Sequence, residues 1–391
     1  MSGALEDLKV VELRQGIAAA YCGMLMGDLG AQVIIVQDSR SSEEPDPPVN
    51  AQLYLDRNKR SIALDMSRVE HRDILDELVG WADVVIEELL PSTKSDWKID
   101  DQAWCDKNPT LIYASITPFG RFGADAGMPG SDLIVQARSG FMSITGLPDS
   151  PYTRSGTSLS EYYTGVATSV AIMAAIRYKD QTGEGQIIDM SLLDCLLTAL
   201  EGLPDTYFRT GEVRARTGNM NPQVPGYGFS QAADGFVATA TPGFNIWPRF
   251  CIAIDRVDLV DRPQFNSQEE QQEWGAVVLE AIHSFFGPRT RQEIVDLLVE
   301  HGVPAAPVNT VRDAVNEPPL REREMLVEVE HTERGKITIT GSPLHMSETP
   351  GTVRSPSPVL GQDSRYVLGE LLNWDDNRIN LALGNPSGGA M

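Results

Sequence analysis

LKVVELRQGIAAAYCGMLMGDLGAQVIIV, Leu8 to Val36, is the stretch on which the fold turns. Its apolar run Leu8 to Leu13 reads as a short strand, and Ile17 to Leu29 as a helix with small residues on one face. Gly30 ends that helix, and Gln32 to Val36, with VIIV at its heart, reads as a second strand. The alternation continues. Arg60 to Leu64 is a strand, Arg68 to Val79 an amphipathic helix, and Ala82 to Ile86 and Leu111 to Ile116 are further short strands. Strand and helix in turn at this spacing predict a doubly wound parallel α/β layer. Gly23, Gly27 and Gly30 form GxxxGxxG rather than GxGxxG, and they lie inside and at the end of the helix. They read as close helix packing plus a C-cap, which rejects a nicotinamide site here.

Past Pro204 the texture changes, giving the expected division 1–205 (large domain), 206–225 (linker), 226–309 (small domain), 310–349 (linker) and 350–391 (completing the large domain). Within these segments, Gly235 to Ala240 and Val303 to Val308 read as strands, and Trp247 to Ile254 and Gln271 to Phe286 as helices. A hairpin is expected from Leu326 to Glu330 and Lys336 to Ile339, a last helix from Tyr366 to Leu372, and a frayed tail from Gly384. Linkers this long cross to another surface, in this chain or in a partner.

With 391 residues and 41% hydrophobic content, the chain can bury two cores. A formal charge of −23 argues against nucleic acid or an anionic membrane as partner. No run of 18 apolar residues occurs, and the N-terminus lacks the pattern of a signal peptide. Cys22, Cys105, Cys195 and Cys251 are widely separated and read as reduced, buried thiols of a cytoplasmic protein. No metal-ligand spacing is present, so no metal is expected. His71 falls on an expected surface helix and reads, like the other histidines, as structural.

Three features bear on chemistry. In SGTSLSEYYTG, Ser155 to Gly165, Glu161 falls in the first turn of a small-residue helix. The helix dipole there favours the ionised carboxylate, which can act as a nucleophile or simply complement the dipole. After that helix come a glycine turn, a short buried strand and another helix, ending near Asp194. The loop PFGRFGADAGMPG, Pro118 to Gly130, follows a strand at the edge where open α/β sheets bind ligands. Arg57, Lys59 and Arg60 form a basic cluster that reads either as a phosphate grip or as a solvated turn before a strand.

The chain also resembles the class III CoA-transferase, or CaiB/BaiF, family over nearly its whole length. The resemblance rests on LKVVEL (Leu8 to Leu13), MGDLGAQVI (Met26 to Ile34), RNKRSIALD (Arg57 to Asp65), ADVVIE (Ala82 to Glu87) and NPTLIYASITPFG (Asn108 to Gly120). It continues through SDLIVQARSGFMSITG (Ser131 to Gly146), TGEGQIIDMSLLD (Thr182 to Asp194), GVPAAPVN (Gly302 to Asn309) and GSPLHMSETPG (Gly341 to Gly351).

This resemblance implies a large Rossmann-like domain plus a smaller α/β domain joined by two long linkers, in an interlocked dimer. It implies transfer of CoA from an acyl-CoA to a carboxylic acid, through an enzyme-bound anhydride and a glutamyl-CoA thioester, with no permanently bound cofactor. Glu161 fills the place of the family's nucleophilic aspartate, and Ile17, Ala18, Lys59 and Arg60 match positions that line coenzyme A. Gln136 to Gly140 match a pocket wall. Asp38, Glu88 and Asp96 fall where relatives often carry basic or amide side chains around the nucleotide. Two other readings stay open. One is a catalytically silent or binding subunit paired with an active paralogue, making a heterodimer rather than a homodimer. The other is a 2-methylacyl-CoA racemase, whose histidine position is Ser131 here.

Overall fold

A computed structural model describes residues 3–40, 49–219, 224, 226–241, 245–261 and 267–384. The tail expected to fray from Gly384 lies, beyond that glycine, outside the described residues. The chain forms two compact units, one of residues 1–141, 154–208 and 318–391, the other of residues 142–153 and 209–317.

The first unit is built on a six-stranded sheet. Its strands are β1 (Lys9–Arg14), β2 (Gln32–Asp38), β3 (Lys59–Leu64), β4 (Val84–Glu88), β5 (Ile112–Thr117) and β6 (Gln186–Ser191), in the order 3-2-1-4-5-6. Every pairing is parallel, with Val10 opposite both Val33 and Val84. Parallel strands must be covered on both faces, which explains their Val/Ile-rich runs. Alternation sends Val11, Leu13, Ile34, Ile62 and Val85 into one core, shared with helix α2 (Val69–Trp81) and the C-terminal residues Val367, Leu368 and Trp374. Val10, Val33, Val84, Ile86 and Ile112 face the other core, beneath α1 (Ile17–Asp28), α3 (Asp132–Arg138), α4 (Leu159–Thr182) and α5 (Leu192–Thr198).

Glu12 shares the face of Val10, so a carboxylate points into the core beneath α1. Gly23 makes room for it, since a Cβ there would sit 1.9 Å from Glu12 Oε2. The charge is answered inside the protein. Lys59 Nζ donates to Glu12 Oε2 at 2.8 Å and to the Ala20 carbonyl at 2.8 Å, and lies 3.6 Å from Asp56 Oδ1. Arg14 pairs with Glu12 and, at 2.7 Å, with Asp56. Two acids and two bases thus close a ring whose side chains are all at most 4% exposed. A second buried pair, Arg57 with Asp28 at 2.7 and 3.0 Å, is extended by Asn58, which donates to Asp28 Oδ1 and to the Thr352 carbonyl.

α1 and α4 pack closely because both are small along their contact. A Cβ on Gly165 would lie 2.7 Å from the Ala18 carbonyl oxygen. The free edge of β3 is covered by the C-terminal segment: Asp363 N–H donates to the Ser61 carbonyl, Ser61 N–H to Asp363 Oδ2, and Gly361 N–H to Ser61 Oγ. β6 is the other edge. The expected buried strand is here a half-exposed one, with Ile187 38% exposed, because among the described residues only β5 pairs with it.

Two further expectations are corrected. His71 lies on the inner face of α2, buried. Its Nδ1 accepts the Asp65 N–H at 2.6 Å, and Nε2 meets the Ala382 carbonyl at 3.0 Å, the pattern of a neutral Nε2–H ring. The last helix is Asp376–Ala382, capped by the Asp375 side chain, while Val367–Leu371 is a single wide π turn that continues Ser364–Tyr366.

The second unit holds β7 (Gly228–Ala232), β8 (Gly235–Thr239) and β9 (Ala305–Pro307) in an antiparallel sheet. Helices Ile246–Ala253, Gln268–Phe286 and Arg291–Glu300 surround a core that includes Trp247, Phe250, Phe286 and Leu298. β10 (Leu326–His331) and β11 (Gly335–Thr340) form the expected hairpin, on the first unit.

Removing one member of the enclosed ring leaves a buried charge unmatched. Lys59→Met is therefore expected to lower unfolding free energy by about 3–5 kcal/mol, measured by urea denaturation. The Glu12→Gln/Lys59→Met pair should cost less than the sum of its single changes. Gly165→Ala should cost about 1–3 kcal/mol by overpacking, and an unchanged melting temperature would contradict the tight α1–α4 contact.

Candidate active site

In open α/β sheets, ligands bind outside the carboxyl ends of the strands, where the strand order reverses. Here that point lies between β1 and β4. The crevice is sewn shut at its base: Gln15 N–H donates to the Glu88 carbonyl, and Leu90 N–H and Thr93 Oγ–H both reach Gln15 Oε1. Gly16 precedes α1 in an extended conformation with no side-chain cap. Glu88 supplies that cap, its Oε2 accepting the Ala19 N–H at 2.8 Å. A Cβ on residue 16 would come within 2.4 Å of the same carboxylate. The positive end of α1, a ready anion site, therefore already holds an anion from the chain itself.

The positions singled out by sequence divide between the two ends of the sheet. Ile17 is half-buried and Ala18 buried at the start of α1, on the carboxyl edge. α4 runs back along the sheet, and its first turn carries Glu161, half-buried, beside α1. The Tyr162 ring meets Tyr21 edge-on at 4.9 Å, joining the two helix starts. Lys59 and Arg60 open β3 and so sit on the amino half of the sheet. The Lys59 ammonium is enclosed and committed to Glu12 and Ala20, which makes it part of the core. Arg60 faces the opposite layer, its guanidinium over the Tyr366 ring at 4.5 Å. Alternation along a strand separates these neighbours; the basic cluster is not one patch.

Of the acids expected around the nucleotide, Asp38 pairs with Arg40 at 2.9 Å, and Arg40 also reaches Asp65 at 2.9 Å. Hydrogen bonding and charge from Asp38, helped by Asp65 and Asp96, push the Arg40 guanidinium above its ordinary pKa. This half-exposed cation on the carboxyl edge was missed by sequence reasoning, since Arg40 stands alone in a polar turn; its proximity to Asp38 was the available signal.

Behind Glu161 lies a buried polar chain. Asp132, 9% exposed, accepts from Ser160 N–H at 2.9 Å and Ser160 Oγ–H at 2.8 Å on one oxygen, and from Gln136 Nε2–H at 2.6 Å on the other. Gln136 is fully buried and its Oε1 accepts the Ser155 N–H at 2.8 Å. The glycine-rich loop after β5 is tied to β6 by Arg121 N–H donating to Asp189. Ser131, at the head of α3, offers a hydroxyl and no basic group.

The four thiols are all held protonated by burial. Burial pushes Cys22 and Cys251 up to about 12 and raises Cys195 and Cys105 as well; all four are free, and Cys105 is half-buried rather than buried as expected. Among the described residues no group of acidic, histidine and cysteine side chains could hold a metal, and no helix is long and apolar enough to cross a membrane. A groove of about 630 Å³, lined by Asp76, Trp81, Asp83, Trp104 and Lys107, lies on the amino edge, away from Glu161.

Residues 5–364 match CoA-transferase family III. The chain is 34% identical over 385 residues to a succinyl-CoA:mesaconate CoA-transferase of Haloarcula hispanica, covering 94% of this chain and 96% of that one. It is 31% identical to a succinate–glutarate CoA-transferase of Agrobacterium fabrum, covering 94% and 95%. A CaiB/BaiF family protein from Brucella suis superposes with a TM-score of 0.84 at 28% identity, over 95% of this chain and all of that one. The α/β fold on a parallel sheet is that of the CaiB/BaiF structures. The chain belongs to the class III CoA-transferases and is an enzyme of that family.

Proposed function

We propose that the protein moves coenzyme A from a dicarboxylic acyl-CoA, of the succinyl-CoA kind, to a second carboxylic acid, with Glu161 as nucleophile. One observation carries this reading: a half-buried carboxylate in the first turn of α4, beside the start of α1, on the ligand-binding edge of the sheet. The helix dipole favours its ionised form. The relatives' names supply the substrate class, since they pair succinyl-CoA or succinate with mesaconate or glutarate.

A Glu161 oxygen attacks the thioester carbonyl, the C–S bond breaks, and CoA leaves as thiolate, giving an acyl-glutamyl anhydride. The thiolate then attacks the glutamyl carbonyl and releases the donor acid, leaving a glutamyl-CoA thioester. The acceptor carboxylate repeats the exchange in reverse and restores Glu161. No proton is transferred and the thioester's energy is conserved, so neither ATP nor a metal is required. In this reading the CoA nucleotide runs along the carboxyl edge, past Ile17 and Ala18, with Arg40 as an exposed cation on that edge and Glu88 limiting how closely a phosphate approaches α1.

We also propose that a second copy of the chain covers α4 and β6, as an interlocked homodimer. Tyr163, Val166, Val170 and Tyr178 are exposed on one face of α4, and Ile187 on the open edge strand. These apolar side chains in a row favour a protein partner over water. A related but distinct chain in the same place, making a heteromer, is the competing arrangement.

Incubation with succinyl-CoA followed by hydroxylamine should place a hydroxamate on Glu161, read by peptide mass spectrometry. Glu161→Gln should show none, and Glu161→Asp, shortened by about 1 Å, should turn over on the order of a hundredfold more slowly. Light scattering should give twice the chain mass, and Val170→Asp should reduce the dimer fraction. A wild-type monomer that is fully active would defeat the dimer.

A further inference from the structure

We propose that Asp132 is a positioning residue for Glu161, holding the start of α4 by a hydrogen-bond chain whose polarity runs one way only. The inference rests on Glu161 being the nucleophile. α4 begins without help from its own N-cap, for the Ser158 side chain accepts no hydrogen bond. Asp132, from the head of α3, does the capping instead. One oxygen takes both the N–H and the hydroxyl of Ser160, the residue immediately before Glu161. The other oxygen holds the Gln136 amide, whose carbonyl end in turn holds Ser155 N–H, five residues upstream of Ser160. Both ends of the segment leading into the nucleophile are thus tied to α3.

The ends of this chain are fixed donors. Ser155 and Ser160 each present a backbone N–H, which must face an acceptor. Gln136 must therefore turn its oxygen to Ser155 and its NH₂ to Asp132, and Asp132 must accept on both oxygens. An amide at position 132 would oppose NH₂ to NH₂. A carboxylate at position 136 would oppose two carboxylates in a buried site. Exchanging the two groups restores every bond. The amide NH₂, now at position 132, donates to the carboxylate at position 136, which still accepts from Ser155. The amide oxygen at position 132 still accepts from Ser160.

The experiment is an exchange of side chains read in two independent ways. Amide hydrogen exchange reports whether Ser155 and Ser160 are held. The rate of glutamyl-CoA formation at Glu161 from succinyl-CoA, with its concentration dependence, reports whether the nucleophile is aimed. Asp132→Asn and Gln136→Glu should each speed exchange of both amides about tenfold or more. Each should also slow labelling by about 10–100-fold with little change in half-saturating succinyl-CoA. The Asp132→Asn/Gln136→Glu double variant should recover both. Ser160→Ala, which removes only the hydroxyl donor, should slow labelling a few-fold and keeps the test alive if a single exchange variant fails to fold.

Labelling at wild-type rate in the folded single variants, or a double variant that regains amide protection yet stays slow, overturns the inference. Absence of any Glu161 label in the wild type instead overturns the nucleophile's assignment. In that case, equal exchange in the wild type, both single exchange variants and the double variant would overturn the hydrogen-bond chain as well, and faster exchange in the single variants that the double variant reverses would sustain it as the anchor of α4.

Discussion

The ring of Glu12, Lys59, Arg14 and Asp56 beneath α1 is the constraint on which the rest of this unit depends. A carboxylate inside a parallel sheet is costly unless it is paired and hydrogen-bonded. Here the pairing dictates shape. Lys59 must reach the axis of α1 to find Glu12 and the Ala20 carbonyl, and α1 must lack a side chain at Gly23 to let the pair in. The helix lies flat on β1 as a result, and its far face is small enough for α4 to settle against it at Gly165. The place of α4, and with it of Glu161, beside α1 therefore depends on enclosed charges that pair with one another.

A second consequence concerns anions. Two helix starts face the carboxyl edge, and each is met by a carboxylate from elsewhere in the chain: Glu88 at α1 and Asp132 at α4. Both supply caps that the local sequence does not, since neither Gly16 nor Ser158 accepts a side-chain bond. The edge is thereby ordered but less attractive to phosphate than bare helix ends would be. In the proposed reaction, Arg40 offers a nucleotide an exposed cation on that edge, though one flanked by Asp38 and Asp65.

The parallel sheet was legible because its strands are β-branched runs bounded by turns, and the ends of β1 to β5 differ from the expected ones by at most two residues. Glu161 was legible from its place in a first helical turn together with family resemblance, and it stands in that first turn. What sequence could not separate was the pair Lys59–Arg60. Adjacent basic residues look like one patch until the strand's alternation and the location of Glu12 are known. The helix expected from Tyr366 to Leu372 is present as Ser364–Leu371, with a wide π turn, but it is not the last: Asp375 caps a further helical run just beyond. β6 read as buried because its composition is apolar; only its place at the end of the sheet leaves it half-exposed. Asp132 was not singled out in the sequence: Gln136 lies one helical turn on, but Ser160, the partner that ties Asp132 to the start of α4, is brought near it only by the fold.

The cover over β3 has a bearing on how the protein is made. Gly361 and Asp363 clasp a strand that was translated about three hundred residues earlier, and Thr352 and Arg354 close over the Asp28–Arg57 pair across a similar span. A ribosome adding about 5–20 residues per second needs some tens of seconds to reach them. Throughout that interval the nascent sheet presents an unpaired edge, the kind of surface that recruits stray strands. Its native seal arrives almost last.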